Sequence, residues 1–301
     1  MRREIRLREF EPGSSELKRP LEWQVKGSDG SLAHKDYLVE ADENGFIKSA
    51  LPQDDMREQV IILGDSVIEC MYVDHGSRLT DQAERFLRQD GLSVAVRNGG
   101  VTGATSLHIL NSILNKIVPL RPSLLIVASG IMDQDCMLNP DSFWNKQPYF
   151  TPIKTYPDQH VEEQPHLAEL QMPDRRRILR LIKATCEEFA IRLAVATVAH
   201  RGNDAYAVAR MPWFQNYQDR RRKVNAQTRE FAITEGVPLI DMESEFSGAV
   251  SIFYDQFHLN PNGTEVVGRF LANEIKRVSA VASKAAPADG FIGRIKRSLS
   301  R

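Results

Sequence analysis

Apolar residues follow two patterns along the chain. Val60-Ile61-Ile62-Leu63, Leu124-Leu125-Ile126-Val127-Ala128 and Leu193-Ala194-Val195-Ala196-Thr197-Val198 are apolar almost throughout. Runs of this length and character suit strands buried on both faces, as in a parallel sheet. Leu92-Ser93-Val94-Ala95-Val96 and Val237-Pro238-Leu239-Ile240 bring the set to five. Between the runs, apolar residues recur every three or four positions. Leu79, Ala83, Phe86 and Leu87 do so over 79–90. Leu107, Leu110, Ile113, Leu114 and Ile117 do so over 106–117, and Ile178, Leu179, Ile182, Cys186 and Phe189 over 174–190. These spacings predict helices with one buried face, joined by a long helix over 217–235 and a last one over 262–278. Alternating strands and helices predict an α/β domain with a doubly wound parallel sheet. Right-handed crossovers place all its strand ends on one rim.

The flanks and two interior stretches fall outside this rhythm. Residues 1–58 are polar, and Leu21-Glu22-Trp23-Gln24-Val25 and Tyr37-Leu38-Val39 alternate as half-exposed strands do. The expected organisation is an N-terminal extension over 1–58, an α/β domain over 59–278 and a basic, flexible tail over 279–301. Weak contact of the tail with a membrane surface is the alternative reading for that segment. Residues 137–172 carry Phe143, Trp144, Tyr149, Phe150 and Tyr156, and 200–216 carry Tyr206, Trp213 and Phe214. Long irregular stretches of this kind are binding loops or surface insertions. Arg175, Arg176, Arg177 and Arg180 crowd the start of the helix over 174–190 and are expected on a solvated face.

Composition narrows the function. The 301 residues are 42% hydrophobic and 26% charged, with a net charge of -1, which argues against nucleic acid as a partner. Cys70, Cys136 and Cys186 form no CxxC pair, so reduced thiols are expected rather than disulfides or a zinc site. No apolar run follows the basic N-terminal residues as a secretory signal would, and none reaches membrane-span length. A cytoplasmic protein is the expectation.

Three stretches carry candidate chemistry. Gly64-Asp65-Ser66 follows the first apolar run, at a strand's carboxyl end, where open α/β sheets bind ligands. A serine there becomes a nucleophile only beside a base. Of seven histidines, His258 has a carboxylate three residues earlier, Asp255, in a loop expected on the same rim. An aspartate so placed can hold the imidazole tautomer; capping of the following helix is the plainer alternative. Asn98-Gly99-Gly100-Val101-Thr102-Gly103 follows the second strand and lacks the residues of a P-loop or dinucleotide loop. Its amides are candidate oxyanion donors, and a plain tight turn is the other reading.

Taken together, Gly64-Asp65-Ser66, Asn98-x-Gly100-x-x-Gly103, Gly130-Ile131-Met132-Asp133 and Asp255-x-x-His258 resemble the four blocks of the GDSL/SGNH hydrolase superfamily, over about residues 59–278. The resemblance implies a flavodoxin-like three-layer α/β/α sandwich with a five-stranded parallel sheet and no metal or organic cofactor. It also implies a serine-dependent esterase or carbohydrate O-deacetylase acting on a small-molecule or carbohydrate ester. An O-acyltransferase and a non-catalytic binding protein on the same scaffold are its alternatives. Ser66 would be the nucleophile, His258 the base and Asp255 its orienter, with the Ser66 and Gly100 amides in the oxyanion hole. Met132 stands where the family has an asparagine donor, and a thioether donates no hydrogen bond. Gln134 and Asn98 are the candidate substitutes.

Overall fold

The computed structural model describes residues 2–52, 58–157, 161, 165–202 and 212–285, side chains 212–215 and 281–285 excepted. Tyr206 and the tail over 286–301 lie outside the described residues, as do the side chains of Trp213 and Phe214.

The N-terminal part holds β1 (Arg2–Ile5), β2 (Ser15–Lys18), α1 (Glu22–Gly27) and β3 (Tyr37–Glu40). The 21–25 segment, expected as a strand, is helical. Leu21 N–H donates to Gln24 Oε1 at 2.8 Å and Lys26 pairs with Glu22 at 3.2 Å, one turn away. Five alternating residues do not outweigh such local contacts.

The α/β part runs β4 (Glu58–Gly64), α2 (Ser66–Glu69), α3 (Leu79–Gln89), β5 (Val94–Gly100), α4 (Ser106–Ser112), a π-helical turn over Ile113–Ile117, α5 (Val118–Leu120), β6 (Leu124–Ala128) and α6 (Ile131–Met137). It continues through β7 (Ile153–Tyr156), α7 (Met172–Glu188), β8 (Leu193–Ala196), α8 (Pro212–Glu235), β9 (Leu239–Ile240), α9 (Met242–Phe246) and α10 (Pro261–Ala285). Among the described residues, five strands form a parallel sheet in the order β5-β4-β6-β8-β9. Successive β4 side chains alternate between two cores. Val60 and Ile62 pack with α3 and α10, Ile61 and Leu63 with α4, α7 and α8. Each fully buried side chain of this size contributes roughly 1.5–3 kcal/mol. The result is the expected three-layer α/β/α sandwich. No described helix is long and apolar enough to cross a membrane.

Three further expectations change. Strand β5 extends through Asn98, Gly99 and Gly100, which pair with Ile62, Leu63 and Gly64 of β4, so these residues are not a loop after the strand. A Cβ on Gly100 would lie 2.3 Å from the Glu69 nitrogen, so glycine lets the strand run beneath α2. Arg175 is not solvated: it is buried against Asp133, while Arg176, Arg177 and Arg180 stay at the surface and pair with Glu230, Asp174 and Glu235. The 137–172 stretch is only partly irregular, since β7 pairs antiparallel with β1.

The N-terminal segment is joined to this body. Phe46 is buried in the core under Ile61 and Leu63, and Ile47 bridges Asn98 on the outer edge of β5. Covering an edge strand in this way blocks pairing with other chains. Cys70, Cys136 and Cys186 are buried free thiols.

Candidate active site

The turn between β4 and α2 carries Ser66. Asp65 caps α2 by accepting from Val67 N–H at 3.1 Å, and its other oxygen accepts from Ile131 N–H at 3.2 Å. One buried carboxylate therefore ties the Ser66 turn to the start of α6. Burial pushes the Asp65 carboxyl up to about 6, against the Val67 hydrogen bond and the Arg221 charge.

The loop between α9 and α10 carries the partners. Ser66 Oγ lies 2.9 Å from His258 Nε2, and His258 Nδ1 lies 2.7 Å from Asp255 Oδ2. Asp255 Oδ1 also accepts from the Phe257 and His258 amides at 3.0 and 2.8 Å, so the Asp255 carboxylate braces its own turn. It does not cap α10; Asn260 does that, taking Gly263 N–H at 2.9 Å. Tyr254 stacks on the imidazole with ring centroids 5.5 Å apart and planes at 13°, and Phe257 packs against it at 4.4 Å. Burial disfavours the imidazolium, but the charge and hydrogen bond of Asp255, with Asp65 and Glu69 beyond, raise His258 above an ordinary histidine. This line can take a proton from the serine hydroxyl and hold it as a paired cation.

The residues expected around a developing oxyanion are placed unevenly. Ser66 N–H, first in α2, has no partner among the described residues. Gly100 N–H donates to Asn98 Oδ1 at 2.9 Å and is already engaged, contrary to the expectation for it. Asn98 is not a free donor either, because its Nδ2 donates to Ile68 O at 2.9 Å. Three residues on, Gly103 sits at φ +80° in a tight turn, and its N–H has no partner among the described residues. Met132 is half-buried and packs, as Tyr217 and Phe257 do, on the cluster of Val67, Ile131 and Val198. Gln134 is fully buried, and neither its amide nitrogen nor its oxygen has a partner among the described residues.

Several neighbours escaped the sequence reading. Glu69, one helical turn beyond Ser66, is buried and accepts from both the amide and the hydroxyl of Thr102. Arg8 reaches the same turn from the N-terminal segment, donating from Nε to Thr102 O at 2.9 Å. Only the three-residue spacing from Ser66 to Glu69 offered a local signal; nothing local marks Arg8. Of the insertion's aromatics, Phe143 and Phe150 enter the core, while Tyr149 stays 47% exposed beside Gly103. Among the described residues, no three His, Cys, Asp or Glu side chains gather as metal ligands.

Residues 62–266 match the model of the GDSL-like Lipase/Acylhydrolase family. Among solved structures, a lipase/acylhydrolase from Enterococcus faecalis is similar over 73% of this chain and 96% of its own, at 18% identity and a TM-score of 0.51. The acetylxylan esterase Axe2 from Geobacillus stearothermophilus is similar over 76% of this chain and 96% of its own, at 12% identity and a TM-score of 0.50. At such identities the likeness concerns the fold. No curated protein sequence matches the chain.

Proposed function

Because this chain belongs to the GDSL-like lipase/acylhydrolase family and is an ester-hydrolysing enzyme, we propose that it works through an acyl-enzyme on Ser66, with His258 as base and Asp255 as its orienter. The observation that carries this reading is the continuous line from Ser66 Oγ through His258, at 2.9 Å, to Asp255, at 2.7 Å. His258 Nε2 removes the hydroxyl proton as Oγ attacks the ester carbonyl. Asp255 holds Nδ1–H and pairs the imidazolium. The tetrahedral oxyanion is received by Ser66 N–H and, in place of Gly100, by the N–H of Gly103, which has no partner among the described residues. The alcohol departs with the proton from His258. Water then attacks the acyl carbonyl, losing its proton to His258, and the free acid leaves as Ser66 Oγ is reprotonated.

The substrate proposed is a small ester, with O-acetylated carbohydrate as the leading class. Support comes from Tyr149, half-exposed beside Gly103, an aromatic side chain of the kind that packs against sugars. A fluorophosphonate probe tests the nucleophile. Strong labelling of the wild type that disappears in Ser66→Ala is expected. Equal labelling of the two would remove Ser66 from the mechanism. Release of acetate from acetylated xylo-oligosaccharides, measured beside p-nitrophenyl acetate, tests the substrate class.

A further inference from the structure

Thr102 is held at three groups, its N–H, hydroxyl and carbonyl, by two residues far from it in sequence. Its amide and its hydroxyl both donate to Glu69 Oε2, the hydroxyl at 2.6 Å, and Glu69 is only 1% exposed on the helix that Ser66 opens. Its carbonyl accepts from Arg8 Nε at 2.9 Å. Arg8 is itself fixed, donating from Nη1 to Tyr149 O at 2.5 Å with its guanidinium 4.6 Å over the Tyr149 ring. The segment before it is tied down by the β1–β7 pairing and by Arg6 N–H to Pro152 O at 2.8 Å. Behind it, Glu9 pairs with Lys116 at 2.9 Å.

The covalent geometry of the peptide makes this grip consequential. Thr102 C=O and Gly103 N–H belong to one planar trans unit and point in opposite directions. Fixing the carbonyl therefore aims the amide. A glycine at φ +80° would otherwise leave that plane free to rotate. A Cβ on Gly103 would lie 2.1 Å from Arg8 Nη2, so the arginine packs directly on the Cα of the residue whose N–H it orients.

We propose that Glu69 and Arg8 are positioning residues that clamp Thr102 and so aim the Gly103 N–H at the oxyanion formed on Ser66. This rests on the reading of Ser66 as nucleophile and extends it. The N-terminal segment thereby acts in the reaction from outside the α/β body. With Met132 unable to donate, correct aim of the remaining amides matters more.

The test uses the full chain and five variants: Ser66→Ala, Arg8→Met, Glu69→Gln, Thr102→Val and Thr102→Ser. Readouts are kcat and KM on p-nitrophenyl acetate, inhibition by phenylboronic acid and thermal midpoint. The boronate adduct places a tetrahedral, charged group where the oxyanion forms. Arg8→Met and Glu69→Gln are expected to lower kcat about tenfold or more with KM nearly unchanged, because a misaimed group loses transition-state stabilisation. Boronate affinity is expected to fall by the same factor, and Thr102→Val is expected to lose less, with Thr102→Ser restoring the rate. Arg8 is half-buried at the surface, so its variant carries the test if Glu69→Gln does not fold. Wild-type kcat in a folded Arg8→Met, with Ser66→Ala inactive, overturns the clamp alone. A fall in kcat with unchanged boronate affinity also overturns it. Wild-type kcat in Ser66→Ala overturns the nucleophile and the clamp with it.

Discussion

Arg175 Nε lies 2.7 Å from Asp133 Oδ2 with the two side chains 1% and 0% exposed. Asp133 also accepts from the Ser106 amide at 2.7 Å and its hydroxyl at 2.5 Å. Arg175 reaches on to Ser129 O and Thr228 Oγ1, at 3.2 and 3.0 Å. One ion pair thus joins α4, which follows the Gly103 turn, to α6, which carries Met132, and to α7 and α8. Arg175→Met leaves Asp133 charged and buried without its partner. A loss of about 3–5 kcal/mol in denaturant unfolding is expected. Adding Asp133→Leu removes the stranded charge, and the double variant is expected to lose less than the two single losses together. An unfolding midpoint in Arg175→Met equal to wild type would show that the pair holds nothing.

The pH profile follows from His258. As the proposed base His258 must be neutral to act, and burial, which lowers its pKa, is overcome by the Asp255 charge and hydrogen bond, which raise it. The activity kcat/KM is therefore expected to rise with pH through an apparent pKa above the ordinary histidine value of about 6.5. Asp255→Asn removes the charge and, with Oδ1 still taking the Phe257 and His258 amides, turns an NH2 donor toward His258 Nδ1 in place of the accepting oxygen. Its acid limb should move down, and its rate should fall on the order of 10³–10⁴-fold because the tautomer is no longer held. A limb that stays in place would mean that another group sets it.

Met132, with Tyr217 and Phe257, packs on the cluster of Val67, Ile131 and Val198 beside the Ser66 turn. Met132→Asn places an amide donor at that position and is expected to raise kcat on a simple acetyl ester about 10- to 100-fold, within the range one oxyanion donor contributes. A rate that is unchanged or lower would mean that another donor already serves, with the buried Gln134 amide, which has no partner among the described residues, the first to examine by Gln134→Leu.

Gly100 is required by space rather than by its amide. An alanine Cβ would sit 2.3 Å from the Glu69 nitrogen and 2.6 Å from the Ile68 carbonyl carbon, both backbone atoms that cannot swing away. Gly100→Ala is expected to cost about 1–3 kcal/mol or more and to displace α2, lowering kcat as well. Gly27→Ala is the control, since nothing among the described residues lies within 4 Å of a Cβ there. Equal stability of the two variants would contradict the packing argument.

Local pattern determined much of this protein. Five apolar runs and the helical spacing between them report burial directly, so the α/β sandwich could be read from residues a few positions apart. Ser66, Asp255 and His258 were legible as candidates for the proposed chemistry because Ser66 follows an apolar run and Asp255 precedes His258 by three residues in a loop. Their meeting still required the fold, since His258 and Ser66 are 192 residues apart in sequence. What the tertiary structure alone decided are choices of partner. Asn98 takes the Gly100 amide, while that of Gly103 has no partner among the described residues. Arg175, one of four arginines in a six-residue stretch, is the one drawn inward, because Asp133 waits 42 positions away. Arg8 finds Thr102 across 94 positions. Periodicity carries no information about such pairings, because a hydrogen bond depends on where two distant segments are brought together.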